Sequence, residues 1–264
     1  LYAFNDLEMF NDYSLNAKFE SDPLLGITTK DIVKIQRHIL GIETLDSPYK
    51  MISADVNKSG TITASDISEL RKLILGVQNH FDKNESWNFV DANESLTADN
   101  FQSFKSTFQI NQLGTSMTNG DFMAIKTGDV TGEAVTGFSG NSISRNDKSM
   151  LIELPELVFR KGEILEIPVR CLTEDELYGL QFELWINSGE FELLSVENGI
   201  LTLTPDQYNF GGDHLKVSWN SQNSTSVHTN NVLFKFKVRT KSAGTLNMGS
   251  IQIKSQEMAA EAYT

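Results

Sequence analysis

Cysteine is almost missing from this chain. Cys171 stands alone, which excludes an internal disulfide and any CxxC or zinc-ribbon site. The four histidines, at 38, 80, 214 and 228, show no HExxH or similar spacing. A catalytic Cys–His pair stays open on paper, but Cys171 follows Leu165, Ile167 and Val169 on one face of an alternating run. A buried core thiol is the better reading. No segment approaches the roughly 18 unbroken apolar residues of a membrane helix. Positive charge is scarce: 22 Lys and Arg face 35 Asp and Glu, a net charge of −13. Such a field repels a phosphate backbone, and no Lys/Arg cluster overrides it, so nucleic-acid binding is excluded and a divalent cation is favoured. The opening LYAFNDLEMF lacks an initiator Met and a basic leader, and reads as the start of a piece of a longer chain.

What remains is ample for a buried core. Of 264 residues, 39% are hydrophobic, enough for one large domain or two smaller ones. The first half is helical in pattern. IVKIQRHILG places Ile32, Ile35 and Ile39 at helical spacing before Gly41, and ISELRKLILG repeats this with Ile67, Leu70, Leu73 and Ile74 before Gly76. Setting Asp31 on Asp66 aligns ITTKDIVKIQRHILGI with ITASDISELRKLILGV, identical at Ile27, Thr28, Asp31, Ile32, Ile39, Leu40 and Gly41. That is an internal duplication. From about residue 150 the period changes to two. VLFKFKVR and GLQFELWIN alternate apolar and polar residues between Gly- and Asn-rich turns, which predicts an antiparallel sandwich. A Gly/Ser/Asn-rich linker is expected at 134–148, dividing the chain into 1–133 and 149–264. Within the less regular 78–133, TADNFQSFKSTF is expected as a helix through Phe101, Phe104 and Phe108.

DVNKSGTITASD, Asp55 to Asp66, carries oxygen-bearing side chains at places one, three, five, seven, nine and twelve, with Gly60 sixth. Calcium takes six to eight hard oxygens, and a twelve-residue loop leading into a helix can deliver them. Asp55, Asn57 and Ser59 would offer side-chain oxygens and Thr61 its carbonyl. Thr63 would hold a water, and Asp66 would close the shell. A helix-capping turn is the plainer alternative. The paired loops, each followed by a helix ending in LG, resemble a dockerin, a calcium-folded recognition module whose twelfth ligand is Asp. The first loop, reading Glu20, Asp22, Leu24 and Leu25 at places one, three, five and six, departs from that pattern. It keeps Asp22 and Asp31, either as ligands or as part of a Pro-containing turn. The DPLLG form of this loop, the DSPYKMISADVN segment and the GDVTG at 128–132 resemble dockerin-like regions of large secreted surface proteins of Bacteroidota, many exported by the type IX system. GDVTG repeats the opening of a calcium loop, yet no closing acid follows at its twelfth place, which leaves Asp129 an open candidate.

The second half resembles a cohesin, the jelly-roll sandwich that dockerins bind. KGEILEIPV at 161–169, GLQFEL at 179–184, LLSVENG at 193–199 and FKFKV at 234–238 carry the likeness. Ile186-Asn187 stands where the family has a Tyr-Asp pair. The resemblance implies that the strand holding Trp185 lies in the sheet that meets dockerin. Trp185 is therefore either an interface anchor or covered by a loop or the N-terminal half. Trp219 shares parity with Val217 and belongs in the core, while Tyr208 and Trp87 are either sugar-stacking rings or local plugs. Dockerin recognition implies polar pairs at Thr29-Lys30 and Ala64-Ser65, of which only part is present.

The expected architecture is thus multidomain: a mainly α, dockerin-like module with two calcium loop–helix repeats, then an all-β cohesin-like sandwich. The expected function is non-enzymatic, calcium-stabilised protein recognition or scaffolding at the cell surface or outside the cell. Its partner is a dockerin- or cohesin-type protein or a second copy of the chain. A carbohydrate-binding adhesin module accessory to polysaccharide degradation is the alternative. No nucleophile elbow, phosphate loop or metalloprotease motif supports an enzyme.

Overall fold

The computed structural model describes residues 2–134, 150–247, 249–254 and 258–264, so the expected linker lies outside the described residues apart from Ala134. The chain opens with β1 (Tyr13–Asn16), then α1 (Thr29–Ile39), α2 (Pro48–Ala54) and α3 (Ala64–Ile74). Three short strands follow, β2 (Trp87–Asp91), β3 (Thr107–Ile110) and β4 (Phe122–Lys126), forming the antiparallel pairs β1–β3 and β2–β4. α-Helix is therefore confined to residues 29–74, the two repeat helices with α2 between them, and the strands of the first half pair as two-stranded ribbons.

Both repeat helices start and stop by the same chemistry. Thr28 and Thr63 are N-caps in capping boxes closed by Asp31 and Asp66 at N3. Gly41 (φ 68) and Gly76 (φ 70) take the left-handed conformation that ends each helix. Ile32 and Ile35 of α1 pack against Leu70, Leu73 and Ile74 of α3, together with Ile27, Val56 and Val130. Ile39, expected on that stripe, is instead exposed at the end of the last turn. A smaller cluster of Ile52, Val90, Phe101 and Ile125 sits under α2. The expected helix over TADNFQSFKSTF does not form. Asn100 accepts from the Thr97 N–H and hydroxyl, only Phe101–Ser103 make a 3₁₀ turn, and pairing with β1 draws the chain into β3. Long-range strand pairing overrides a spacing of three apolar rings.

The second half is all β: β5 (Ile152–Glu153), β6 (Leu157–Phe159), β7 (Ile164–Cys171), β8 (Asp175–Ile186), β9 (Phe191–Asn198), β10 (Tyr208–Gly211), β11 (His214–Val227), β12 (Val232–Thr240), β13 (Gly244–Leu246), β14 (Ile251–Lys254) and β15 (Glu261–Tyr263). One sheet runs β10-β11-β8-β14 with β15 also on β8, and the facing sheet runs β5-β7-β12-β9. Phe182, Leu184, Val217 and Trp219 of the first sheet meet Ile167, Val169, Phe234 and Phe236 of the second, and the Phe182 and Phe234 rings stack at 5.9 Å. Cys171 and Trp219 are both buried in this core.

The outer face of the β8/β11 pair is the exception to the alternation rule. Register sets Gln181 beside Ser218 and Gly179 beside Asn220. These polar residues point away from the sandwich core, yet all three side chains are buried. What covers them is helix α1.

Candidate functional site

The run from Asp55 to Asp66 folds as a tight loop. The carboxylate of Asp55 accepts from the Ser59 N–H (2.8 Å) and the Gly60 N–H (2.8 Å). That of Asp66 accepts from the Asn57 N–H (3.1 Å) and the Thr63 N–H (2.8 Å). Gly60 holds φ 83, which favours glycine. A neutral oxygen joins them: Ser59 Oγ lies 3.0 Å from the Thr61 carbonyl and 3.4 Å from Asp55 Oδ1. Burial, with Asp55 adding like charge, raises the Asp66 pKa. Thr63 is occupied as the helix cap, accepting from the Ser65 N–H.

Among the described residues no three His, Cys, Asp or Glu side chains converge. The loop's donor set is two carboxylates plus amide, hydroxyl and carbonyl oxygens. That set is all hard oxygen and fits calcium better than a nitrogen- or sulfur-loving metal.

The first repeat is arranged differently. Asp22 caps its own turn, accepting from the Leu24 N–H at 2.9 Å, and the carboxylate brought to Asp31 is Asp129. Asp31 accepts from Val130 N (2.9 Å), Thr131 N (3.0 Å) and Thr131 Oγ1 (2.9 Å). Burial, reinforced by the charge of Asp129, pushes the Asp31 pKa up to about 7. Spacing along the sequence could not reveal this pairing, because the two acids belong to distant segments.

The second feature is the seam between helices and sheet. Helix α1 carries two stripes. Ile32 and Ile35 face α3, while Thr29, Val33, Gln36 and Arg37 recur one turn apart toward the β8/β11 face. Thr29 N donates to Gln181 Oε1 at 2.6 Å, and the Gln181 amide donates onward to the Ala259 carbonyl at 3.1 Å. Asn220 donates to Gln36 Oε1 at 2.8 Å and accepts from Arg71 Nη2 at 2.5 Å. Arg71 Nη1 also pairs with Asp206 at 2.5 Å. Asn209 donates to the Leu75 carbonyl, and the Arg37 guanidinium lies 5.3 Å from the Tyr178 ring centre. Gly179 lets α1 approach: a Cβ there would sit 3.0 Å from Val33 Cγ2. Burial lowers the Arg71 pKa, partly offset by Asp206.

Trp185 lies on the same sheet face but beyond the helices. It is partly buried, donates from Nε1 to Asp213 at 2.9 Å, and has Lys254 Nζ 4.3 Å from its ring centre. Of the polar-pair positions, Thr29 is in the seam and Lys30 pairs with Glu133, while Ala64 and Ser65 are exposed. Trp87 is a local plug, donating to Ser21 and stacking edge-on with Phe19.

Residues 26–75 match the dockerin type I domain. No curated protein matches the chain. Among solved structures, the chain is similar to a type I cohesin–dockerin complex from Clostridium thermocellum containing the OlpA cohesin, with 14% identity over 39% of this chain and 89% of that one, TM-score 0.30. A second complex from that organism, with the OlpC cohesin, gives 20% identity over 42% and 84%, TM-score 0.31. A non-cellulosomal cohesin from Archaeoglobus fulgidus gives 20% identity over 38% and 74%, TM-score 0.27. Among the described residues no helix is long and apolar enough to cross a membrane.

Proposed function

We propose that this chain, whose residues 26–75 are a type I dockerin domain, is a non-enzymatic, calcium-stabilised recognition segment of an extracellular or cell-surface protein, with its helices clasped on its own β sheet. One observation carries the reading. The seam is built like a protein–protein interface, with polar side chains buried in matched pairs, where a domain core would be apolar. Thr29, Gln36 and Arg71 on the helices meet Gln181, Ser218 and Asn220 on the sandwich. A clasp of this kind turns two modules into one stiff unit suited to scaffolding. Calcium at Asp55, Asn57, Ser59, Thr61 and Asp66 would hold the loop that leads into α3, the helix that presents Arg71.

Light scattering on the intact chain over a hundredfold concentration range tests the reading. The expected result is a monomer in calcium at every concentration, and a Thr29→Arg/Asn220→Arg variant that is more expanded in X-ray scattering. Concentration-dependent chains of wild-type protein would mean the helices engage the next copy's sheet, and would overturn the internal clasp.

A further inference from the structure

The first loop has lost its opening half: Leu24 and Leu25 stand at places five and six, and the match to the domain begins at residue 26, which is place seven. The fold supplies the missing half from another part of the chain. Ala134 lies so close to Gly26 that a Cβ added there would collide with the Ala134 backbone. Counting Asp129 as place one makes Ala134 place six, and the order then continues in space through Gly26 at seven and Thr28 at nine to Asp31 at twelve.

The bonding repeats that of the 55–66 loop at places three, five, six and nine. The N–H of place three meets the closing acid in both loops: Asn57 to Asp66 at 3.1 Å, Thr131 to Asp31 at 3.0 Å. The N–H of place nine does too, from Thr63 at 2.8 Å and from Thr28 at 2.9 Å. Places five and six donate to the first acid: Ser59 and Gly60 to Asp55, Glu133 and Ala134 to Asp129. Place two is a buried valine in each, Val56 and Val130, and place four has positive φ in each, Lys58 at 55 and Gly132 at 77.

Hydrogen bonding accounts for the turn but leaves the charge unanswered. Asp31 is fully inaccessible and Asp129 is 8% exposed, and among the described residues neither forms an ion pair. Of the nearby cations, Lys30 pairs with Glu133 at 2.5 Å, and Lys126, whose ammonium donates to the Pro23 carbonyl at 2.6 Å, attracts both acids from beyond ion-pair distance. Two buried carboxylates bridged by one hydroxyl, with a single largely desolvated ammonium acting on them at longer range, are costly unless a further cation joins them.

We infer that Asp129, Thr131 and Asp31 hold a second hard divalent cation, with the Gly26 carbonyl at place seven, in a site assembled from two segments 100 positions apart. The inference takes the calcium reading of the contiguous loop as its template. The site makes the segment after β4 part of the first repeat, so that metal binding ties α1 to residues far downstream.

Native mass spectrometry of the intact chain equilibrated with calcium chloride counts the ions directly. The expected result is two calcium ions in the wild type, one in Asp129→Asn, one in Asp55→Asn and none in the double variant. The ion retained by Asp129→Asn reports that the variant is folded. One wild-type ion that Asp55→Asn removes and Asp129→Asn keeps would overturn the split site and leave the contiguous loop standing. One ion with the opposite behaviour would support the split site and overturn the contiguous one. No ion in the wild type would overturn both.

Discussion

Thr29 and Ser218, 189 positions apart in the chain, share a hydroxyl–hydroxyl hydrogen bond at 2.7 Å in the seam between α1 and the sheet, and both residues are fully buried. Thr29→Val keeps the shape and leaves the Ser218 hydroxyl without its partner, a loss of about 1–2 kcal/mol. Thr29→Val/Ser218→Ala removes both groups and should cost less than the two single changes summed. Urea unfolding of the three variants measures the difference. Additive costs would mean the contact contributes nothing of its own.

Arg71 makes two contacts of unequal weight. Asp206 is 60% exposed at its side chain, so that ion pair is screened and worth little, whereas the bond to Asn220 is buried. Arg71→Met is therefore expected to lower stability by about 1–3 kcal/mol, and Asp206→Asn by less than about 1 kcal/mol. Raising the salt to about 0.5 M should shift the wild-type midpoint only slightly, because the exposed Arg71–Asp206 pair contributes little to begin with and the buried Arg71–Asn220 bond has a neutral acceptor.

Calcium should act as part of the fold. A site held at 100 times its dissociation constant adds about 2.7 kcal/mol, which in a chain of this size corresponds to a melting shift on the order of 5–10 °C. Differential scanning calorimetry with calcium and then with chelator reads this directly. Asp55→Asn/Asp66→Asn should melt lower in calcium and show a smaller response to chelator. A double variant with an undiminished response would remove the 55–66 loop from the account.

Gly179 is where the sheet makes room for α1. A side chain there meets Val33 and Tyr263 at 3.0 Å, so Gly179→Val should push the helix outward. Hydrogen exchange is the direct probe, with faster exchange expected across residues 29–39 and little change in β7 and β12. Trp185→Ala, on the same face but outside the seam, should leave exchange in α1 unchanged.

Local chemistry made much of this legible in advance. The duplicated helices, the change from helical to alternating period, and the core placement of Cys171 and Trp219 all follow from spacing within short segments. What escaped was long-range. Parity places Gln181 on the outer face of its strand but says nothing about whether a helix lies over it. Thr29, Val33 and Gln36 form a second contact stripe that no hydropathy pattern marks, because its residues are polar or small. The apolar rings of TADNFQSFKSTF keep helical spacing, yet Asn100 capping Thr97 and the pairing of β3 with β1 decide the outcome. GDVTG was visible as half a loop. The carboxylate it meets was not, since Asp31 precedes Asp129 by 98 positions.

Met258, after the last strand but one of the sandwich, is buried among Ile27, Ile32, Leu70 and their neighbours in the helical core. Protein synthesis runs from the N-terminus, so the repeat helices leave the ribosome long before this residue exists. Their hydrophobic centre can close only after nearly the whole sandwich has been made. Of the two modules, the one translated earlier is then finished later, and its apolar centre stays incomplete while the sandwich is being made.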